Sequence, residues 1–403
     1  MTSRTRLRIG LGVVLGIALF ALGCGGGGSD ELVVGEYGSL TGNDADFGQS
    51  TKRGMEMALD ELQTQKQGKI GGLPVRVVVE DDQGKPEEAA TVVQKLINED
   101  RVLTVIGEVA SGRSLAAAPI CQEAGVPMIS PSSTNPKVTQ VGDYIFRMCF
   151  IDPFQGTVMA KFTAQNLGLK KVAILTDNKN AYSVGLTDFY KQAYEQLGGG
   201  IVTEQSYSSG DTDFRSQLTA IKAKNPQAIY LPGYYTEAGL IARQARELGI
   251  KVPILGGDGW ESDQLIGIGG SALEGCFYSN HFAADNPDPR LQQFLKAYAA
   301  KFSGQEPNAI VGLAYDAGVV LFKSMEKLAE LDPATFRGLS SAKAGTPLRK
   351  TACKKLRDLI ATTTNFPGVT GNITLDENRN ASKPAVVLEI KGGKKVYRTT
   401  INP

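Results

Sequence analysis

Residues 102–114 run Val102-Leu103-Thr104-Val105-Ile106-Gly107-Glu108-Val109-Ala110-Ser111-Gly112-Arg113-Ser114. The short apolar run predicts a strand buried on both faces, and the stretch from about Gly112 predicts a helix after a polar loop. The pattern repeats in both directions. Upstream, 32–35 and 75–79 read as strands, 49–63 carries Met55, Ala58, Leu59 and Leu62 at helical spacing, and 86–98 reads as a helix with Pro86 in its first turn. Downstream, 127–130 reads as a further strand. After Arg147 the rhythm begins again, with strands predicted at 172–175, 201–204, 228–231 and 254–255 and helices at 153–167, 183–198, 211–224 and 236–248. Helices are also predicted over 290–303 and 309–331, and 373–401 is strand-and-turn in character with Gly392-Gly393 at a hairpin. Strand-helix alternation implies parallel sheets joined by right-handed crossovers. Two such series, each of domain size, predict an α/β protein of two doubly wound parallel-sheet lobes.

Composition removes several function classes. The chain has 403 residues, 42% hydrophobic and 21% charged, which is ordinary for a globular protein of two or three domains. Its 43 Lys and Arg against 42 Asp and Glu leave a charge of +1, without the basic footprint a nucleic-acid binder needs. His281 is the one histidine, so a His-rich metal site is excluded and Ser-His-Asp or Cys-His catalysis is weakened. GxSxG, HExxH and P-loop patterns are absent from the sequence. The expectation is therefore a protein without catalytic residues, metal or cofactor. Cysteines at 24, 121, 149, 276 and 353 form no CxxC pair, and the last four leave disulfides or buried thiols open.

The leader bears on the compartment. Arg4, Arg6 and Arg8 precede an apolar run over 9–22 that is short for a membrane span and suits a secretory segment. Leu22-Gly23-Cys24, followed by Gly25 to Gly28 and Ser29, resembles the lipobox of bacterial lipoproteins, departing from it at Ala21, where that pattern prefers leucine. The expectation is a lipoprotein signal peptide over 1–24 with lipid on Cys24, a flexible tether over 25–30, and a periplasmic or cell-surface location. An ordinary cleaved signal peptide or an N-terminal anchor is the alternative.

In open α/β sheets ligands bind beyond the carboxyl ends of the strands. Ser111 there offers a hydroxyl, backbone N–H groups and a helix N-terminus to an anion, or else simply caps its helix. Pro131-Ser132-Ser133-Thr134-Asn135-Pro136 is a rigid polar loop whose carbonyls can receive an ammonium and whose hydroxyls can donate to a carboxylate, unless it is only a turn. In the second series, Pro232-Gly233-Tyr234-Tyr235 follows one strand and Gly256-Gly257-Asp258-Gly259-Trp260 another. An aspartate between glycines beside the only tryptophan is an unusual place for a turn residue bonding its own backbone. Each signal is weak alone; their recurrence at strand ends in both series is more specific.

These blocks resemble the branched-chain amino-acid-binding proteins of ABC transporters, the Leu/Ile/Val type of periplasmic binding protein. The stretches that carry the likeness are GSLTGNDADFGQ (38–49), VIGEVASGRSLAAAPICQEAGVPMISPSSTNP (105–136), NAYSVG (180–185), 211–239, PILGGDGW (253–260) and NFPGVTGNITLDENRNASKP (365–384). The resemblance spans essentially 31–403 and implies a type I periplasmic-binding fold with a three-crossing hinge: lobe one from 31–148 and 281–369, lobe two from 149–280 and 370–403. It implies Ser111 and Thr134 as carboxylate donors, the Ser132 carbonyl and the Asp258 side chain for an ammonium, Tyr182 and Tyr234 as aromatics closing over the ligand, and Phe47 as an aromatic of the first lobe. The family often has glutamate at the position of Asp258, and Gly112-Arg113 replaces a run of small hydroxyl residues. The implied function is capture of an amino acid, branched-chain or related, by a monomer that delivers it to membrane permease subunits. Alternatives are a binder of an amide, urea or short peptide, or a ligand-sensing receptor domain. His281 reads as a strand histidine bonded to backbone or water, and Asp81-Asp82 as the end of a strand rather than a metal site.

Overall fold

The structure, a computed structural model, describes residues 30–402. The expected signal peptide over 1–24, the expected lipidation site Cys24 and residues 25–29 of the expected tether lie outside the described residues. The first sheet uses β1 (Leu32–Gly38), β2 (Lys69–Ile70), β3 (Leu73–Asp81), β4 (Thr104–Ile106), β5 (Met128–Ser130) and β6 (Ile145–Arg147), in the order β2-β3-β1-β4-β5-β6. All neighbours are parallel except the short β2. Every residue of β1 is buried, as a central strand covered by helices on both faces requires. The chain leaves β1 for β3 on one side and returns to β4 on the other, which opens a crevice at the carboxyl ends of β1 and β4.

The second lobe repeats the device. Strands β7 (Lys171–Asp177), β8 (Gly200–Tyr207), β9 (Ala228–Leu231), β10 (Ile254–Gly256) and β11 (Phe277–Asn280) are parallel, with β7 between β8 and β9. The small strands β12 (Phe366–Gly368), β13 (Gly371–Leu375) and β14 (Ala381–Ser382) form a separate sheet. The hairpin of β15 (Ala385–Lys391) and β16 (Lys394–Ile401), turning at Gly392-Gly393, completes the second lobe antiparallel to β11.

Core membership locates the crossings. Cys149 packs in the first lobe's core and Phe150 in the second's; Phe282 packs with Met57 and Leu291 beside the first lobe, immediately after β11. Ile373, Leu375 and Ala381 belong to the first core and Ala385 to the second. The third crossing therefore falls at 382–385, not at 370: residues 370–382, expected in the second lobe, bury their apolar side chains against the first. Two elements also differ from expectation. The helix predicted over 153–167 is α-helical over Asp152–Lys161 and continues as a π-helical turn, Phe162–Asn166. The helix predicted from 211 begins at Arg215, because buried Gln244 accepts from Phe214 N (2.7 Å) and donates to the Thr212 carbonyl (2.9 Å), holding that segment as a loop. Cys121, Cys149, Cys276 and Cys353 are buried free thiols. Asp81 ends β3, its Oδ1 accepting from Leu40 N (2.9 Å) and Gln83 N (2.8 Å).

Candidate functional site

Loops from the carboxyl ends of both sheets face one another. In the first lobe the Ser132-Ser133-Thr134 loop is shaped by Arg147, wholly buried at the end of β6, whose guanidinium donates to the carbonyls of Ser133 and Asn135 (Nη2 to Asn135 O, 2.8 Å). Ser130 and Ser133 hydroxyls donate to the Glu108 carbonyl at 2.6 and 2.8 Å, which ties this loop to the one after β4. Ser111 Oγ accepts from Asn135 N at 3.2 Å and joins the same two loops. The Thr134 carbonyl accepts from Asp152 N at 3.0 Å, and its buried hydroxyl lies beside the Asp152 carboxylate. Asp152 is buried beside it at the first crossing, and burial pushes its pKa up to about 8 against the lowering influence of the Thr134 hydroxyl.

In the second lobe Tyr182 enters on the first turn of helix Ala181–Gln196, where Asn180 Oδ1 caps Tyr182 N at 3.0 Å. Its ring stacks on Tyr234 with centroids 5.5 Å apart, and its hydroxyl accepts from Gly259 N at 3.1 Å. The glycines around Asp258 are demanded by this close approach. A Cβ on Gly257 would lie 2.3 Å from the Tyr182 hydroxyl oxygen, and one on Gly259 would lie 2.7 Å from the Gly233 carbonyl oxygen. Asp258 is 6% exposed. Its Oδ1 accepts from Gln155 Nε2 at 2.7 Å, and its Oδ2 is 2.9 Å from His281 Nε2.

The lobes are closed on each other. Phe47 meets Tyr234 and Tyr235 edge-on at 5.2 Å, Asp46 Oδ2 accepts from Ser262 Oγ (2.7 Å) and Asp263 N (3.1 Å), and Asn135 Nδ2 donates to the Ala181 carbonyl at 2.9 Å. Phe47, Val109, Ser132, Tyr182, Tyr234, Asp258 and Gly259 line the space between, which measures ≈ 10 Å³, about the room one water needs. Phe47, Ser132, Tyr182, Tyr234 and Asp258 thus come together around one cavity, with Thr134 in the adjoining first-lobe loop and Ser111 at the start of helix Ser111–Ala124, neither of them lining it.

Sequence reasoning missed the partners of Asp258. Gln155 sits on a helix far away in sequence, where a glutamine carries no signal. His281 was expected to bond backbone or water; instead its ring pairs with Asp258. Its place directly after the end of β11 was the one clue, since the other site loops also follow strands. Arg113 pairs with Glu108 (3.1 Å) and Asp44 (2.8 Å), its guanidinium 6.0 Å from the Tyr234 ring centroid. It is therefore neutralised at the cleft rather than offered to a ligand. Among the described residues, no group of three or more His, Cys, Asp or Glu side chains could hold a metal, and no helix is long and apolar enough to cross a membrane.

Residues 31–395 match the family described as periplasmic binding protein. The chain is 33% identical, over 76% of its length and 80% of the relative's, to the leucine-, isoleucine-, valine-, threonine-, and alanine-binding protein of Pseudomonas aeruginosa. Among solved structures it is similar to a leucine binding protein LivK from Thermotoga maritima (39% identity, TM-score 0.83, 92% of this chain and 99% of that one). It is also similar to the branched-chain amino acid transporter substrate binding protein LivJ from Streptococcus pneumoniae in complex with isoleucine (31% identity, TM-score 0.82, 93% and 100%). The fold alone extends to a solute binding protein of an ABC transporter from R. palustris in complex with benzoate (24% identity, TM-score 0.80, 93% and 97%).

Proposed function

The chain belongs to the periplasmic binding protein family, and from that premise we propose that it captures a free amino acid, branched-chain or related, between its lobes. The observation that carries this reading is Asp258, a buried carboxylate on the wall of the cleft, opposite the Ser132 loop. A zwitterion has two charged ends to satisfy. Ser111, Thr134 and the N–H groups near Gly112 serve the carboxylate, and the Ser132 carbonyl and Asp258 serve the ammonium. Phe47, Val109 and Tyr234 give the side chain an apolar surface. A carboxylate without an ammonium, such as benzoate, would enter a cleft walled by the buried Asp258 carboxylate and bring no positive charge to offset it.

Delivery to ABC permease subunits follows from closure, since only the closed form presents both lobes in one arrangement to a partner. A lipid on Cys24 would anchor the protein to a membrane, in the periplasm or at the cell surface; its distribution between membrane and soluble cell fractions reads this directly.

The test is a thermal-shift screen of the protein against the twenty amino acids, amides and aromatic acids, because a ligand of the folded state raises its stability. Calorimetric titration with the selected ligand follows. Asp258→Ala is expected to weaken binding by roughly tenfold to several hundredfold, as loss of a charged partner costs about 1.5–3 kcal/mol or more. Equal affinity of Asp258→Ala and wild type, or selection of benzoate over every amino acid, refutes the amino-acid reading.

A further inference from the structure

We infer that His281 is a positioning residue of the cleft: a neutral imidazole that aims the Asp258 carboxylate at the ligand's ammonium while leaving its negative charge undiminished. The inference rests on the amino-acid reading above and names a residue that reading does not use. Both oxygens of Asp258 are held, Oδ1 by Gln155 at 2.7 Å and Oδ2 by His281, at the second crossing, at 2.9 Å. The imidazole is itself fixed. It is 3% exposed, stacks on Phe150 with centroids 4.0 Å apart, and follows a backbone N–H that donates to Asn280 Oδ1 at 2.8 Å.

Hydrogen-bond logic sets its protonation. An ionised carboxylate only accepts, so Nε2 carries the proton shared with Asp258. Nδ1 is buried and has no partner, so a second proton there would be a buried donor left unmet. The charged groups around the ring divide. Asp258 and Glu261, on one turn, favour the imidazolium, and Lys383, from the third crossing, opposes it. Asp152, Cys149, Tyr182 and Tyr230 also lie within electrostatic reach of Asp258. Burial outweighs the carboxylates and holds His281 below the ordinary imidazole range. A lysine or arginine in its place would cancel the charge of Asp258 before any ligand arrived. The neutral ring steers without cancelling.

The test uses calorimetry with the amino acid the screen selects and with its des-amino analogue, the same molecule with hydrogen in place of the ammonium. His281→Phe keeps the ring and its stacking but removes the donor, His281→Gln keeps a neutral donor near the Nε2 position, and His281→Lys supplies a donor with a fixed charge. His281→Phe is expected to lose about tenfold for the amino acid, the factor of one hydrogen bond to a charged group, with the analogue unaffected. His281→Gln should retain most of the affinity, and His281→Lys should lose at least as much as His281→Phe. Wild-type affinity should fall only once the pH drops below the ordinary imidazole range, where His281 takes up its second proton, and His281→Gln should remove that fall. Thermal unfolding of each free variant reports its folding, and the Gln–Lys contrast decides the matter if the Phe variant does not fold. Equal losses for amino acid and analogue in His281→Phe, or wild-type affinity in His281→Lys, overturn the inference. If wild type itself does not prefer the amino acid to the analogue, the amino-acid reading has failed and His281 falls with it, a result distinct from the first two.

Discussion

Gly257 and Gly259 flank Asp258 because Tyr182 leaves no room for side chains beside it. Gly257→Ala would press a methyl group against the Tyr182 hydroxyl. Overpacking of this kind costs about 1–3 kcal/mol, so denaturant unfolding should show a loss of that order and titration a weaker ligand affinity as Tyr182 shifts. A variant as stable and as tight as wild type would show that the tyrosine has another place to go. The GGDGW block was legible because its chemistry is local: an acid, two glycines and an aromatic adjacent in sequence at a strand end. Gln155 and His281 were not legible as partners, since each reaches Asp258 only through the packing of separate elements. Arg113 was visible as a departure from small hydroxyl residues, but its neutralisation by Glu108 and Asp44 depends on loops that only folding brings together.

Among elements, β1 shows where burial and chemistry conflict. Every residue of this central strand is buried, yet it contains Glu36, 1% exposed, with Oε2 unpartnered. Burial, reinforced by Glu56, pushes the Glu36 carboxyl up to about 8. The folded protein then keeps a proton that the unfolded chain releases above about pH 4.5, so stability from this group declines as pH rises from about 4.5 to about 8. Glu36→Gln removes the conflict. Its stability relative to wild type, followed by denaturant unfolding, should grow across that window and level off above it; a constant difference from pH 5 to 8 would contradict the assignment. Strand and helix existence was readable from periodicity because each parallel strand is a short apolar run between helical stretches. The place of residues 370–382 was not readable. Alternating strand residues such as Ile373 and Leu375 say that one face is buried, but not against which lobe.

For the whole molecule, closure is held by contacts outside the cavity. Asp46 alone accepts from Ser262 Oγ and Asp263 N across the cleft, and its own N–H donates to the Tyr235 hydroxyl oxygen at 3.2 Å. Asp46→Ala removes the side-chain part of this latch without touching the cavity wall. Each of the two hydrogen bonds is worth about 0.5–1 kcal/mol at this exposure, so ligand release should quicken roughly five- to thirtyfold. Association should stay nearly constant, since affinity differences within one site fall mainly on dissociation; stopped-flow mixing separates the two. A slower association with unchanged release would place the latch in the opening step instead. The three crossings carry one more consequence, for the order of assembly. The first lobe needs Ile373, Leu375 and Ala381 to close its core, and the second needs β15 and β16 to cover the edge of β11. Neither lobe is a contiguous piece of chain, so neither can finish folding as it emerges from synthesis. Both wait for the last thirty or so residues, and a chain cut short before them is not one intact lobe plus a remnant but two unfinished ones.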